Sequence, residues 1–278
     1  MRQAEVWFRG LSFGEGPRWH DGRLWLSDFY RHAVLAVDAA GRAEIAAEVP
    51  NQPSGLGWLP DGRLLIVSMI DRKLLRLESG RSVEHADLGA VAAFHCNDMV
   101  VDDRGRAYVG NFGFDSGAYV AEHGAASLFE EPGPPTATLA RVDPDGSVHA
   151  AAEGMRFPNG SVITADGRTL IVAETYARRL SAFAVADDGT LSQQRVWATL
   201  DGVAPDGICL DAEGAIWVAN ARAAECIRVA EGGAILDRVA TSQRCFACAL
   251  GGPNRTTLFL VTAPGSGADA ATVRLGAI

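Results

Sequence analysis

The chain is 278 residues long and 48% hydrophobic, with 25 Lys and Arg against 34 Asp and Glu, a formal net charge of −9. That acidic balance argues against a nucleic-acid partner, and no apolar run approaches the roughly 18 residues of a membrane-crossing helix. The start, Met1-Arg-Gln-Ala-Glu, lacks the apolar segment of a secretory signal, so a cytoplasmic protein without a membrane partner is expected, its oligomeric state left open.

In chain order the first element is a strand without a partner, Ala4-Glu-Val-Trp-Phe. Gly10-Leu-Ser12-Phe-Gly14 matches the G-x-S-x-G nucleophile pattern, but a β-hairpin follows where that motif needs a helix, so it carries no nucleophile. From Glu15 onward one pattern returns six times: a small or polar residue, a Gly or other small residue, a short apolar run, a turn and a second strand. The copies read Glu15-Gly-Pro-Arg-Trp, Ser54-Gly-Leu-Gly-Trp, Asn97-Asp-Met-Val-Val, Asn159-Gly-Ser-Val-Ile, Asp206-Gly-Ile-Cys-Leu and a degraded Phe246-Ala-Cys-Ala-Leu, stepping by 39, 43, 62, 47 and 40 residues. A period of about 40 is that of a four-stranded propeller blade.

Asp-Gly turns such as Asp21-Gly22, Asp61-Gly62 and Asp166-Gly167 separate the strands of several copies, the strongest local hairpin signal. The last copy offers only Phe246 to Leu250, Thr257 to Val261 and Thr272 to Leu275, one strand short of a blade. The spare strand at the other end would complete it and remove an open edge. The expected fold is therefore all-β: a single six-bladed β-propeller domain over residues 1–278, its last blade closed by the N-terminal strand. The long third step holds an insertion at about 112–138 that ends Glu130-Glu-Pro-Gly-Pro-Pro. It is either a lid over one face of the ring or a surface or subunit-contact loop. Five cysteines, an odd number without paired CxxC motifs, read as free thiols rather than a disulfide framework or zinc site.

If the copies are blades, their first positions converge on the central channel. Glu15, Asn97, Asn159 and Asp206 then form a ring of hard oxygen donors suited to calcium, magnesium or manganese, or a wet channel that binds only water. His95, two residues before Asn97, is the only histidine beside a ring position.

At these residues the chain resembles the SMP-30/gluconolactonase/luciferin-regenerating-enzyme-like family of six-bladed propellers. The matching stretches are Glu15-Gly-Pro-Arg-Trp, Asn97-Asp-Met-Val-Val-Asp, Phe157-Pro-Asn-Gly and Pro205-Asp-Gly. The resemblance implies one divalent metal held by Glu15, Asn159 and Asp206, with Asn97 directly or through water. Calcium stands first, with zinc, manganese, magnesium or iron as alternatives. It also implies hydrolysis of a small-molecule lactone, sugar lactones being the usual substrates, with Asp206 as general base and His95 and Asn97 orienting the substrate. His95 stands where sugar-lactone members carry Arg, and Asp115 where they place a substrate-binding acid. Phe112 and Phe114, with Phe246, make a more apolar pocket, so a more hydrophobic lactone is also expected. The rival readings are a phosphotriesterase-type propeller hydrolase and a non-catalytic metal-binding propeller.

Overall fold

The short β-branched and aromatic runs pair with their nearest neighbours in sequence, because tight turns leave antiparallel pairing as the local option. In the computed structural model, which describes residues 2–267 and 269–278, each copy forms a small antiparallel sheet with its strands in chain order. Blade one, for example, runs Gly14–His20, Arg23–Asp28, Ala33–Val37 and Ala43–Glu48. Six such sheets stand in a ring, and the first strand of each touches the first strand of the next. Among the described residues no helix is long and apolar enough to cross a membrane.

Each interface between neighbouring blades has its own apolar cluster. Leu65, Val67 and Leu74 of blade two meet Met99, Val109 and Val142 of blade three, and Ile171 and Leu180 of blade four meet Ile208, Val218 and Ile227 of blade five. Leu24 and Leu35 of blade one close the ring against Leu11, Ala247, Phe259 and Val261 of blade six. All five cysteines are free thiols, four of them buried.

The closure differs in register from the expectation. Ala4 to Phe8 is not the closing strand; Arg9–Leu11 is, and it pairs with Gly276–Ala277. Trp7 and Phe8 extend that pairing by donating to the Ile278 carbonyl at 2.7 and 3.0 Å. Upstream, Arg2–Gln3 adds a parallel fifth strand to the outer edge of blade five. One N-terminal segment thus covers two blade edges, removing two rows of unpaired backbone groups. Thr272 to Leu275 is not a strand either. Ala270–Val273 forms a short helical turn, and the blade's third strand is Gly276–Ala277.

The insertion leaves Asn111 at the end of one strand and rejoins the sheet at Ala137. It contains a two-turn helix, α1 (Ser116–His123), and a 3-10 segment at Ala125–Phe129, helical structure the strand-like periodicity of the chain does not announce.

All six inner strands carry a register break at the same place: Glu15/Arg18, Pro53/Leu56, Cys96/Met99, Pro158/Ser161, Pro205/Ile208 and Cys245/Ala247. Each break contains the first repeat residue. A bulge bends a strand and re-aims the side chain it carries, which is how six equivalent positions point at one axis. The glycine after it answers a second constraint. A Cβ on Gly55 would lie 2.4 Å from Met99 N, and one on Gly160 2.5 Å from both Asp206 O and Ile208 N. Neighbouring inner strands touch there backbone to backbone. Gly160→Ala should therefore cost about 3 kcal/mol, the upper part of the usual overpacking range. For a chain of this size that lowers Tm by roughly 6–12 °C. Gly267→Ala, where a Cβ meets nothing within 4 Å, should leave Tm within about 2 °C by the ordinary behaviour of surface substitutions. Equal melting of the two variants would remove the close-approach argument.

Candidate active site

The bulges bring Glu15, Asn97, Asn159 and Asp206 together on the axis, all four buried, at one end of a cavity of about 680 Å³. Asn97 donates from Nδ2 to Asn159 Oδ1 at 3.0 Å and accepts from the Ser54 hydroxyl at 3.4 Å. Asn159 Nδ2 donates to Thr175 Oγ1 at 3.2 Å, and that hydroxyl donates to the Pro205 carbonyl at 2.7 Å. This chain of bonds fixes both carboxamides. The carboxylates are left differently: Glu15 Oε2 and Asp206 Oδ1 are buried without a hydrogen-bond partner. Buried acceptors are costly unless something donates to them or coordinates them.

Electrostatics sharpens the point. Burial pushes Glu15 well above the usual carboxylate range, and the charges of Asp206 and Asp98 push it further. Asp206 is raised well above its ordinary value by burial and then by Asp98, with the Asn159 side chain acting in the opposite direction. Either a proton or a cation relieves such a site. The donor set, two carboxylates and two carboxamides, is all oxygen and matches a hard divalent ion such as calcium. No group of three or more His, Cys, Asp and Glu side chains is arranged to hold a metal among the described residues. A cation here would depend on carboxamide oxygens as well as the two acids.

Asp98 is the axial residue that the repeat pattern does not single out. Its carboxyl is buried with Oδ1 unpartnered, and burial raises its pKa while Arg18 lowers it. The signal was available: Asp98 occupies the slot that holds Gly16, Gly55, Gly160, Gly207 and Ala247 in the other copies.

His95 and Phe112 line the cavity. Burial is the largest influence on His95 and lowers its pKa, favouring the neutral imidazole at neutral pH. Its ring stacks on Phe94 at 4.1 Å. Phe114 and Asp115 do not line the cavity. Phe114 is buried behind it against Tyr119 and Tyr176, and exposed Asp115 accepts from Ala118 N at 3.0 Å as the N-cap of α1. An Asp followed by helix-compatible small residues prefers that cap, which satisfies an otherwise free N–H.

Other aromatic walls come from outside the repeat. Phe157, with φ of 60°, stands directly before Pro158-Asn159, and Gln52, with φ of 65°, directly before Pro53-Ser54. Both line the cavity. Left-handed backbone is rare for such residues and tends to mark functional positions. It sets the Phe157 ring 4.6 Å from both Phe112 and Tyr176. Ser116, Ala125, Leu128 and Phe129 of the insertion also line the cavity. A second hollow of about 750 Å³ between the N-terminal segment and blades five and six is lined by Trp7, Trp19 and Trp217. It contains no buried titratable group, so the chemistry is placed on the axis.

Comparison with known proteins agrees with this architecture. A pentonolactonase of Haloferax volcanii is 27% identical over 91% of this chain and 82% of its own length. A gluconolactonase of Xanthomonas campestris superposes with a TM-score of 0.75 at 22% identity, over 93% of this chain and 86% of that one. A calcium-binding regucalcin of Agrobacterium tumefaciens does so with a TM-score of 0.76 at 21% identity, over 99% and 94%. Residues 13–264 match the SMP-30/Gluconolactonase/LRE-like region, and with six blades closed around an oxygen-lined axis the chain belongs to that family.

Proposed function

We propose that this protein hydrolyses lactones at the axial ring, with one divalent cation, calcium foremost, held by Glu15, Asn159, Asp206 and Asn97. The observation that carries the reading is the pair of buried, unpartnered carboxylate oxygens, Glu15 Oε2 and Asp206 Oδ1, on a cavity partly walled by aromatic rings. The lactonase names carried by relatives in the family support the reaction class. When bound, the cation supplies polarisation of the ester carbonyl, usually a large part of such a barrier.

The chain's own groups account for the rest. Asp206 takes a proton from water as the water oxygen bonds to the carbonyl carbon. The ring C–O bond then breaks, and the departing alkoxide oxygen receives that proton, releasing the open hydroxy acid. With the cation bound Asp206 would be ionised, the state a general base needs. Asn97 and neutral His95 orient the ester. Phe112 and Phe157 cover the ring and keep water low in number.

Part of the cavity roof is the insertion, acting as a lid. The guanidiniums of Arg178 and Arg222 each lie over the Phe129 ring, 4.8 Å from its centroid, while Arg156 pairs with Glu131 and donates to the Glu130 carbonyl at the lid's root. A cation–π contact is worth about 0.5–1 kcal/mol when exposed, so two such contacts make a modest latch that can open.

Three outcomes follow. Asp206→Asn should lower kcat for lactone hydrolysis by about 10²–10⁴-fold, and Glu15→Gln should sharply reduce bound calcium measured by metal analysis. Full metal content and activity in Glu15→Gln, or lactone turnover indifferent to chelator, would exclude the scheme. Phe129→Ala should raise KM by roughly three- to tenfold, the weight of a small latch, and leave bound metal intact. Unchanged KM would reduce the insertion to a surface loop.

The last concerns pH. The folded-state pKa values of Glu15 and Asp206 lie above their ordinary values, so the folded chain binds these protons more tightly than the unfolded one. Their contribution is fully favourable below the usual carboxylate range of about 4 and is lost as pH rises through the folded pKa values. In chelator, the Tm of Glu15→Gln should therefore gain on wild type between about pH 5 and pH 8. Calcium should raise wild-type Tm more at the higher pH, where fewer protons compete. A calcium effect equal at both pH values would contradict the coupling.

A further inference from the structure

The cavity changes character from end to end. Its axial end is acidic, with Glu15 and Asp206, and its walls are aromatic. Two cations line it as well, Arg222 after the second strand of blade five and Arg244 at the start of the inner strand of blade six. Both side chains are exposed, so they stand at the solvent-facing rim. Neither guanidinium has a carboxylate or hydrogen-bond partner among the described residues, whereas nearby arginines of blade five are paired: Arg228 with Asp211 and Glu213, Arg238 with Glu225. In a chain with nine more acids than bases, unpaired arginines at adjacent positions on one rim are conspicuous.

We infer that the preferred substrate is a lactone carrying a carboxylate at the end away from the scissile ester, received by Arg222 and Arg244 at the cavity mouth. This rests on the lactonase reading of the same site. The arginines at the rim attract a carboxylate, so a substrate held there by its acid end presents its ester inward, toward the axis. Arg222 already rests over the Phe129 ring, 4.8 Å from its centroid, which reduces the freedom it loses on binding. Arg244 makes no such contact. Because the rim is open to water, the effect falls on capture more than on the chemical step.

The test uses a γ-butyrolactone bearing a para-carboxyphenyl group, its neutral methyl ester, and the γ-lactams of the same two shapes, which are far more slowly hydrolysed. Wild type should favour the carboxylate over the methyl ester by about three- to tenfold in kcat/KM at low salt, the size of exposed charge-assisted contacts. The preference should shrink in high salt and reside in KM. Arg244→Glu should abolish or invert the ratio. Equal turnover of the two lactones by wild type, or a ratio unmoved by Arg244→Glu, overturns the inference while leaving lactone hydrolysis in place. If neither lactone is hydrolysed, the lactonase reading fails and calorimetry with the lactams decides recognition. Tighter binding of the carboxylate lactam, lost in Arg244→Glu, supports the rim site; equal or absent binding of both overturns it.

Discussion

The contact between neighbouring inner strands governs this molecule. In four of the six copies a glycine stands next to the bulge, and the inner strands approach there to where a Cβ does not fit, as at Gly55 against Met99 N and Gly160 against Asp206 O. Asp98 and Ala247 fill the slot in the other two copies, and in all six the bulge aims the preceding residue at the axis. The convergence of Glu15, Asn97, Asn159 and Asp206 is a consequence of one local device, the bulge, present in all six inner strands. Apolar clusters between blades supply most of the cohesion, but they would tolerate several blade angles. The strand contact selects one.

The same device creates an electrostatic problem at the centre. Three acids, Glu15, Asp98 and Asp206, are buried within mutual influence, and each is pushed toward its protonated form. Arg18, donating to the Met99 carbonyl at 2.6 Å, is the cation that tempers Asp98. Such an axis would not be retained for stability, since apolar side chains would fill it more favourably. The excess of negative charge is better understood as stored affinity for something positive, whether proton or cation. The neutral carboxamides between the acids, fixed by Ser54 and Thr175, hold the acids apart without adding charge.

What the sequence revealed divides along the same line. Blade number, the ring residues and closure by the N terminus were legible because each rests on a pattern repeated about every 40 residues. Register at the closure was not. Ala4 to Phe8 looks more strand-like than Arg9-Gly-Leu11, but Arg2–Gln3 is drawn to the edge of blade five and the chain must cross to blade six in between. Asp98 was passed over because it fills the slot that the repeat gives to a Gly or other small residue. Asp115 looked like a pocket acid because the resemblance aligns it with one, and an alignment does not show that a helix starts there and takes the carboxylate as its cap. Phe157 was legible only as a fold signature, since its left-handed backbone, which turns the ring over the cavity, leaves no mark in composition.

Floor and mouth therefore answer to different constraints. The floor belongs to the repeat, where any change meets a neighbouring backbone. The mouth is built from connections between strands: Phe129 of the insertion meets Arg178 and Arg222, and Tyr30 of blade one reaches the Ser266 carbonyl of blade six at 2.8 Å. Loops of this kind accept insertion at little thermodynamic cost, whereas the axis accepts almost none. A fold so divided keeps one reaction chemistry while its substrates change, because the residues that touch the distal part of a ligand are not the ones that close the ring. On the proposed reading, the insertion and the two rim arginines would be where the choice of lactone is made.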